Sequence, residues 1–260
     1  MAACAPESIC RASGDAAEAA IECPACAAPR ACHAFDKEGY ALAQCAECGF
    51  LFVQPYPSAA ELDAHYRTAY RGVGADFYPK AGSRRRRALV RSLRFLRHVR
   101  RKDVVDIGCG GGFMVHAFTR LGARAVGIDA SANSIAYAQR AFPGDKFYCE
   151  TLSAFAARGH KFDFIFLSEV FEHLAGTREV MAAITAIAKP RSLVYVSTPD
   201  LSHPLVPADI REWQEIAPPE HLQFFTRAAL LALFERYGFR LYREFPHKTP
   251  AHDRLFVRSG

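Results

Sequence analysis

Val104-Val-Asp106-Ile107-Gly108-Cys109-Gly110-Gly111-Gly112-Phe113 is the stretch that decides the fold. Val104 to Ile107 reads as a short buried strand, and the glycines open a helix beginning at Phe113. Glycine permits a sharp turn and lets a ligand approach the backbone at a helix N-terminus. A second strand, Ala125-Val-Gly-Ile128, ends in Asp129, 21 residues after Gly108. A carboxylate there can accept both hydroxyls of a ribose. From residue 103 onward strand and helix patterns alternate, which predicts a doubly wound α/β fold around a mostly parallel sheet.

The spacing excludes a nicotinamide fingerprint, because the third glycine of G-x-G-x-x-G would fall at Phe113. What stands instead is Asp106-x-Gly108-x-Gly110-x-Gly112. In this pattern, from about residue 85 to 258, the chain resembles the class I S-adenosylmethionine-dependent methyltransferases. The resemblance implies a Rossmann-like, seven-stranded sheet. It further implies that Asp106, Gly108, Cys109, Gly110 and Gly112 hold the methionine part of the cofactor, that Asp129 holds its ribose, and that Ala130, Ser131, Thr151 and Leu152 surround the adenine. Phe162 to Ser168 and Ser192 to Thr198 then read as strands four and five, and Leu241–Phe245 with Leu255–Val257 as a closing hairpin. Ser168, at the end of strand four, joins the expected cofactor contacts.

After Ser168 comes Glu169-Val-Phe-Glu172-His173. On a helix these three polar residues stand at i, i+3 and i+4 and share a face. Pro218-Pro-Glu-His221 follows strand five. The E-x-x-E-H element is similar to that of ubiquinone-pathway O-methyltransferases and, more distantly, of small-RNA 2′-O-methyltransferases. That likeness implies a Mg²⁺ held by Glu169, Glu172, His173 and His221. Metal-free proton transfer by His221 or His173, and plain packing roles, are the competing readings. The long connection 200–220, with Asp209, Arg211 and Trp213, is expected to form a substrate lid, with Tyr66, Tyr70, Phe77 and Tyr78 on the opposite wall; an ordinary surface excursion with Trp213 filling core is the alternative. His98, His116 and His160 read as surface or packing residues.

Upstream, Cys23-Pro-Ala-Cys26 and Cys45-Ala-Glu-Cys48 form two knuckles able to supply four thiolates to one tetrahedral Zn²⁺. Four thiolates leave no open position, so that zinc is expected to be structural. A redox pair, or Cys32-His33 as substitute ligands, is the alternative. The expected organisation is disorder over 1–20, a zinc knuckle or ribbon over 21–56, a helical linker and cap over 57–102, and the methyltransferase domain over 103–260. Ser58 is the expected N-cap of a helix from Ala59 to Tyr70.

The 260-residue chain carries a formal charge of +6, concentrated in residues 71–105, which hold twelve basic and two acidic groups. Ser83 to Lys102 reads as a helix with Leu89, Leu93, Leu96 and Val99 buried along one stripe. Its arginines form either a solvated face or a patch for nucleic acid or a phosphorylated substrate. No run approaches the roughly 18 apolar residues of a membrane span. Glu7, Arg11, Asp15 and Glu18 interrupt the Ala-rich start, which argues against a secretory signal. Nine cysteines without an export signal point to a reducing, cytoplasmic setting.

The function expected is O-methylation of a small-molecule hydroxyl in a sugar or secondary-metabolite pathway, on an acceptor free or carrier-bound, with no membrane partner. RNA 2′-O-methylation and a non-catalytic docking role are the alternatives. Oligomeric state is not encoded in any motif read here.

Overall fold

The computed structural model describes residues 21–58, 60–62, 64–65, 78–246 and 248–260. The chain divides into two compact units, and neither is continuous in sequence. One comprises residues up to 68, 169–178 and 197–254; the other comprises 69–168, 179–196 and 255–260.

Strands β4 (Asp103–Ile107), β5 (Arg124–Asp129), β6 (Lys146–Cys149) and β7 (Phe162–Ser168) are parallel neighbours. With β8 (Ala188–Pro199), β10 (Phe239–Glu244) and β11 (Ala251–Arg258) they form a seven-stranded sheet of order β10-β11-β8-β7-β4-β5-β6. The order runs outward in both directions from β4 and β7, so their carboxyl ends flank the crevice where doubly wound sheets bind ligands. Helices α3 (Phe113–Arg120), α4 (Ala132–Ala141) and α5 (Leu152–Ala156) follow β4, β5 and β6, and α6 (Thr177–Ile187) precedes β8. The expected α/β architecture and closing hairpin are present, with β8 and β11 longer than the sequence reading gave them.

The basic helix differs in which face is buried. It comprises α1 (Ala81–Ser92), a 3₁₀ turn (Leu93–Phe95) and α2 (Leu96–Val99). The buried stripe is Ala88, Ser92, Phe95 and Val99, whereas Leu93 and Leu96 are 57% and 41% exposed. Phe95 supplies the reason: its ring packs against Phe118, Phe164, Phe166 and Tyr195, and it sets the rotation of the whole element. The small side chains of Ala88 and Ser92 fit beneath that face. Arg91 turns inward too, its guanidinium donating to the Tyr195 hydroxyl at 2.8 Å and lying over the Phe166 and Tyr195 rings.

The other unit holds an antiparallel sheet of order β1-β2-β3-β9, with β1 at Ala31–Lys37, β2 at Tyr40–Cys45, β3 at Leu51–Val53 and β9 at Gln223–Phe224. Of these strands only β3 is legible in the sequence, as the apolar run Phe50-Leu-Phe-Val53 directly after the second knuckle. The β1–β2 hairpin turns through Glu38 and Gly39, both at positive φ, the backbone a two-residue hairpin loop requires. The knuckle segment is not self-contained: β3 pairs with β9, Leu51 opposite Phe224 and Phe52 opposite Gln223. The expected boundary near residue 56 therefore falls inside one sheet-built core. Phe35, Leu42, Leu51, Val53, Trp213, Leu222 and Phe224 fill that core. Ser58 caps as expected, exchanging hydrogen bonds with Glu61 in a capping box, and residues 60–62 and 64–65 are helical. The rest of the expected 59–70 helix, and segment 1–20, lie outside the described residues.

Candidate functional site

In the glycine turn, Gly108, Gly110 and Gly112 have φ of 67°, 51° and 76°. A side chain at any of the three would strain the backbone, and a Cβ on Gly112 would fall 2.6 Å from the Phe147 ring. The Asp129 carboxylate accepts from the Gly110 N–H at 2.9 Å and the Ser131 N–H at 2.8 Å, which locks the turn to the end of β5. Burial raises its pKa. Asp106 is buried at the end of β4. Burial pushes its carboxyl up to about 8, opposed by the Arg91 charge and reinforced by Asp129. A buried acid beside a glycine turn, with a second buried carboxylate at Asp129, fits a ligand that carries an ammonium group and ribose hydroxyls. The donor set therefore suits S-adenosylmethionine.

Cys109 is buried, and that burial raises its thiol pKa. Ser131 and Thr151 use their hydroxyls to cap α4 and α5, accepting from Ser134 N–H and Ala154 N–H. Their remaining surface and Leu152, which is largely buried, are what an adenine could meet. Ala130 accepts a Cys149 thiol contact through its carbonyl at 3.7 Å. Ser168 ends β7 half-buried.

Tyr78 sits directly on the turn. Its hydroxyl donates to Ser134 Oγ at 3.1 Å, and its ring meets Phe113 and Tyr137. A Cβ on Gly111 would stand 2.9 Å from that ring. Burial raises the phenol to about 12, so it stays a donor at neutral pH. Its expected companions Tyr66, Tyr70 and Phe77 lie outside the described residues.

The acidic-histidine cluster belongs to the other unit. Glu169 to His173 are not on an α-helix: Glu169 has φ of 54°, and only Phe171–His173 form a 3₁₀ turn. The left-handed backbone swings Glu169 away from its expected face, and its carboxylate accepts from Ser197 Oγ at 2.5 Å. Glu172, His173 and His221 do converge, with one ligand atom of each within 4.8 Å of the others. Gln223 fixes this arrangement by donating to the Phe171 and Leu174 carbonyls and accepting from Thr177 Oγ1. The Leu222 N–H donates to the Glu172 carbonyl at 2.8 Å. Thr198 donates to the buried Glu172 carboxylate at 2.8 Å. Burial, and then the Glu169 charge, raise the Glu172 pKa well above the usual carboxylate range.

Each imidazole is oriented by a backbone carbonyl: His173 Nδ1 lies 2.7 Å from Glu220 O, and His221 Nδ1 lies 2.7 Å from Glu215 O. A carbonyl only accepts, so both Nδ1 atoms carry protons and both Nε2 atoms of the neutral rings offer lone pairs. That is the tautomer a metal ligand or general base needs. One carboxylate and two imidazoles fit a divalent cation, with a softer donor set than Mg²⁺ usually takes.

Trp213 does not face a substrate. It is 8% exposed and belongs to the apolar core with Phe35 and Leu42, because an indole buries more area there than any neighbour in its loop could. Asp209 and Arg211 pair with each other at the surface.

The four knuckle sulfurs lie within 4.8 Å of one another, with Cys23–Cys48 and Cys26–Cys45 each 3.7 Å apart. Tetrahedral Zn–S bonds of about 2.3 Å imply S···S edges of roughly 3.8 Å. The four sulfurs therefore fit one zinc, and His33, which pairs with Asp36, is not needed. Helix α7 (Arg227–Arg236) clamps the knuckles at both ends. Thr226 donates to Cys48 O at its start, and Arg236 donates to the Pro24 and Ala25 carbonyls at its end.

Comparison with known proteins agrees with this geometry. The Methyltransf_23 family, described as a methyltransferase domain, matches residues 81–244. The chain is 29% identical over 153 residues to a ubiquinone biosynthesis O-methyltransferase of Bradyrhizobium sp. (strain ORS 278), covering 52% of this chain and 60% of that protein. A protein of the same name from Brucella ovis is 30% identical over 152 residues, covering 52% of this chain and 61% of the relative. The match thus spans about three fifths of the curated relatives' length. The magnesium protoporphyrin IX methyltransferase of Synechocystis PCC 6803, solved with bound SAH, shares the fold at a TM-score of 0.53 and 19% identity, covering 75% of this chain and 95% of that one. The chain belongs to the methyltransferase domain family, in the class I S-adenosylmethionine-dependent fold.

Proposed function

We propose that the protein transfers a methyl group from S-adenosylmethionine to a hydroxyl of a small-molecule acceptor. The observation that carries the acceptor chemistry is the pair of imidazoles whose Nδ1 atoms are tied to carbonyls, leaving two Nε2 lone pairs beside Glu172. When bound, S-adenosylmethionine supplies an electrophilic methyl carbon on a sulfonium. Asp106 takes the methionine ammonium, Asp129 the ribose hydroxyls, and the glycine turn holds the chain between them. His221 Nε2 would accept the proton of an acceptor hydroxyl, and the methyl group that S-adenosylmethionine supplies would leave its carbon–sulfur electron pair on sulfur. Holding the reacting atoms in line supplies a large part of the acceleration. Glu172, His173 and His221 would hold a divalent cation, which lowers the pKa of a hydroxyl bound to it. Cys23, Cys26, Cys45 and Cys48 would hold a structural Zn²⁺.

The acceptor is a biosynthetic intermediate, free or carrier-bound. The names of the curated relatives favour a phenolic ring over a sugar. The test is methyl transfer from labelled S-adenosylmethionine to catechol and sugar panels, in chelator and then with Mg²⁺ or Mn²⁺ restored. Labelled ether from a catechol, lost in chelator and restored by metal, supports the reading in full. Turnover that ignores chelation removes the metal and leaves proton transfer by His221. Label found only on nitrogen or carbon overturns O-methylation.

A further inference from the structure

We infer that the outer face of α1 and of the 3₁₀ turn after it is a docking surface for an anionic phospholipid bilayer. The inward stripe of this element accounts for Ala88, Ser92, Phe95 and Val99, and leaves its other apolar residues outside. Val90, Leu93 and Leu96 are 64%, 57% and 41% exposed. Among the described residues only five large apolar side chains stand out this far, and these three lie within seven positions. The 3₁₀ turn matters here. Leu93 opens that turn and Leu96 begins α2 directly after it, and both line one cleft.

Charge frames the ridge. Leu93 and Leu96 line a shallow cleft of about 650 Å³ with Arg94, Arg97, Arg100 and Arg101. No carboxylate occurs between Ala81 and Lys102, against nine arginines and one lysine. Aliphatic ridge and guanidinium rim together are the chemistry of an interfacial element: leucines enter the acyl boundary, while arginine stems lie along apolar surface and their heads reach phosphate. Such attachment is peripheral and needs no spanning segment; no helix among the described residues is long and apolar enough to cross a membrane.

Nucleic acid fits less well. Three exposed aliphatic side chains offer nothing to a phosphate backbone, and a single-strand platform would present aromatic rings instead. A second copy of the chain would set one arginine cluster against another, which like-charge repulsion disfavours.

The test is co-sedimentation of the full chain with sucrose-loaded vesicles of phosphatidylcholine, alone or mixed with phosphatidylglycerol. Pelleting should require phosphatidylglycerol and weaken with salt, since exposed charges are screened within about 8 Å at physiological ionic strength. A Leu93→Ser, Leu96→Ser double variant keeps every charge and should bind about tenfold more weakly. An Arg94→Gln, Arg97→Gln, Arg101→Gln variant should not pellet. Thermal melting of both variants should match the parent, since the altered side chains lie outside the core. Three results would overturn the inference. The parent fails to pellet with phosphatidylglycerol; the leucine variant pellets as the parent does; or the leucines prove to mediate self-association, seen as a dimer in sedimentation velocity that the double variant lacks. Retention on RNA that is indifferent to the leucines, without vesicle binding, would assign the face to nucleic acid.

Discussion

His173 and His221 stand edge to face with ring centroids 4.7 Å apart, each anchored through Nδ1 to a different backbone carbonyl. Two rings held this way cannot exchange tautomers without losing that hydrogen bond, so their Nε2 atoms are committed in advance. Replacing either with alanine should lower kcat by about 10²–10⁴-fold. Affinity for S-adenosylmethionine should hold, because the proposed cofactor contacts are the glycine turn and Asp129. Single-turnover methyl transfer, paired with calorimetric titration of the cofactor, separates the two. If cofactor affinity collapsed along with turnover, the histidines would be structural.

Asp106 trades stability for binding. An acid whose pKa rises on folding stabilises the fold while protonated, and that contribution is lost as pH climbs from about 4, its unfolded value, through its folded value of about 8. Asp106→Asn stays neutral throughout. At pH 9 the variant should melt above the parent, and the difference should shrink as pH falls and vanish below about pH 4. Cofactor affinity should fall at every pH. A variant that melts lower at pH 9 would show that the carboxylate is compensated in the fold.

A zinc held by the four knuckle cysteines would support a whole unit. Metal analysis should find one zinc per chain, and removing it should unfold β1 to β3 and release β9. The sulfurs crowd one another: mutual thiol contacts raise the pKa of Cys23 and Cys48. The same contacts hold the Cys45 thiol far below its usual range, so one thiolate is shared by its neighbours where a cation would bind all four. Gly49→Ala probes the same joint sterically, since its Cβ would meet Thr226 Cγ2 at 2.9 Å with φ at 71°. A loss of about 1–3 kcal/mol is expected, read from urea melts. Full stability after zinc removal would contradict the assignment.

How far the sequence carried depends on what each feature is made of. Gly108, Gly110 and Gly112 were legible because the backbone there demands glycine, and Asp129 because its distance from the turn is set by one strand–helix–strand unit. The four cysteines were legible because their spacing is the ligand geometry. Glu169 was misplaced because helical spacing was assumed for a segment whose first residue is left-handed. The β1–β2 hairpin carried a signal in Glu38-Gly39 between apolar runs that went unread. The β3–β9 pairing carried none: a two-residue strand about 170 positions away, Gln223–Phe224, has no periodicity to detect. Trp213 lies in the core rather than on a lid, which loop length does not encode because it says nothing of which side chain turns inward.

The rotation of the basic helix yields the last test, because it assigns opposite fates to two arginines four positions apart. Arg87 is exposed, whereas Arg91 donates to the Tyr195 hydroxyl and lies over two rings, 5.4 and 5.5 Å from their centres. Its charge also offsets that of Asp106. Arg91→Met removes a charged hydrogen bond and a cation–π contact, so a loss of about 1.5–3 kcal/mol is expected. The Asp106 pKa should move further upward, which carboxyl-carbon NMR titration would show. Arg87→Met should stay within about 0.5 kcal/mol of the parent. Equal effects from the two substitutions would mean that the helix buries the leucine stripe after all, and with it would go the exposed ridge of Val90, Leu93 and Leu96.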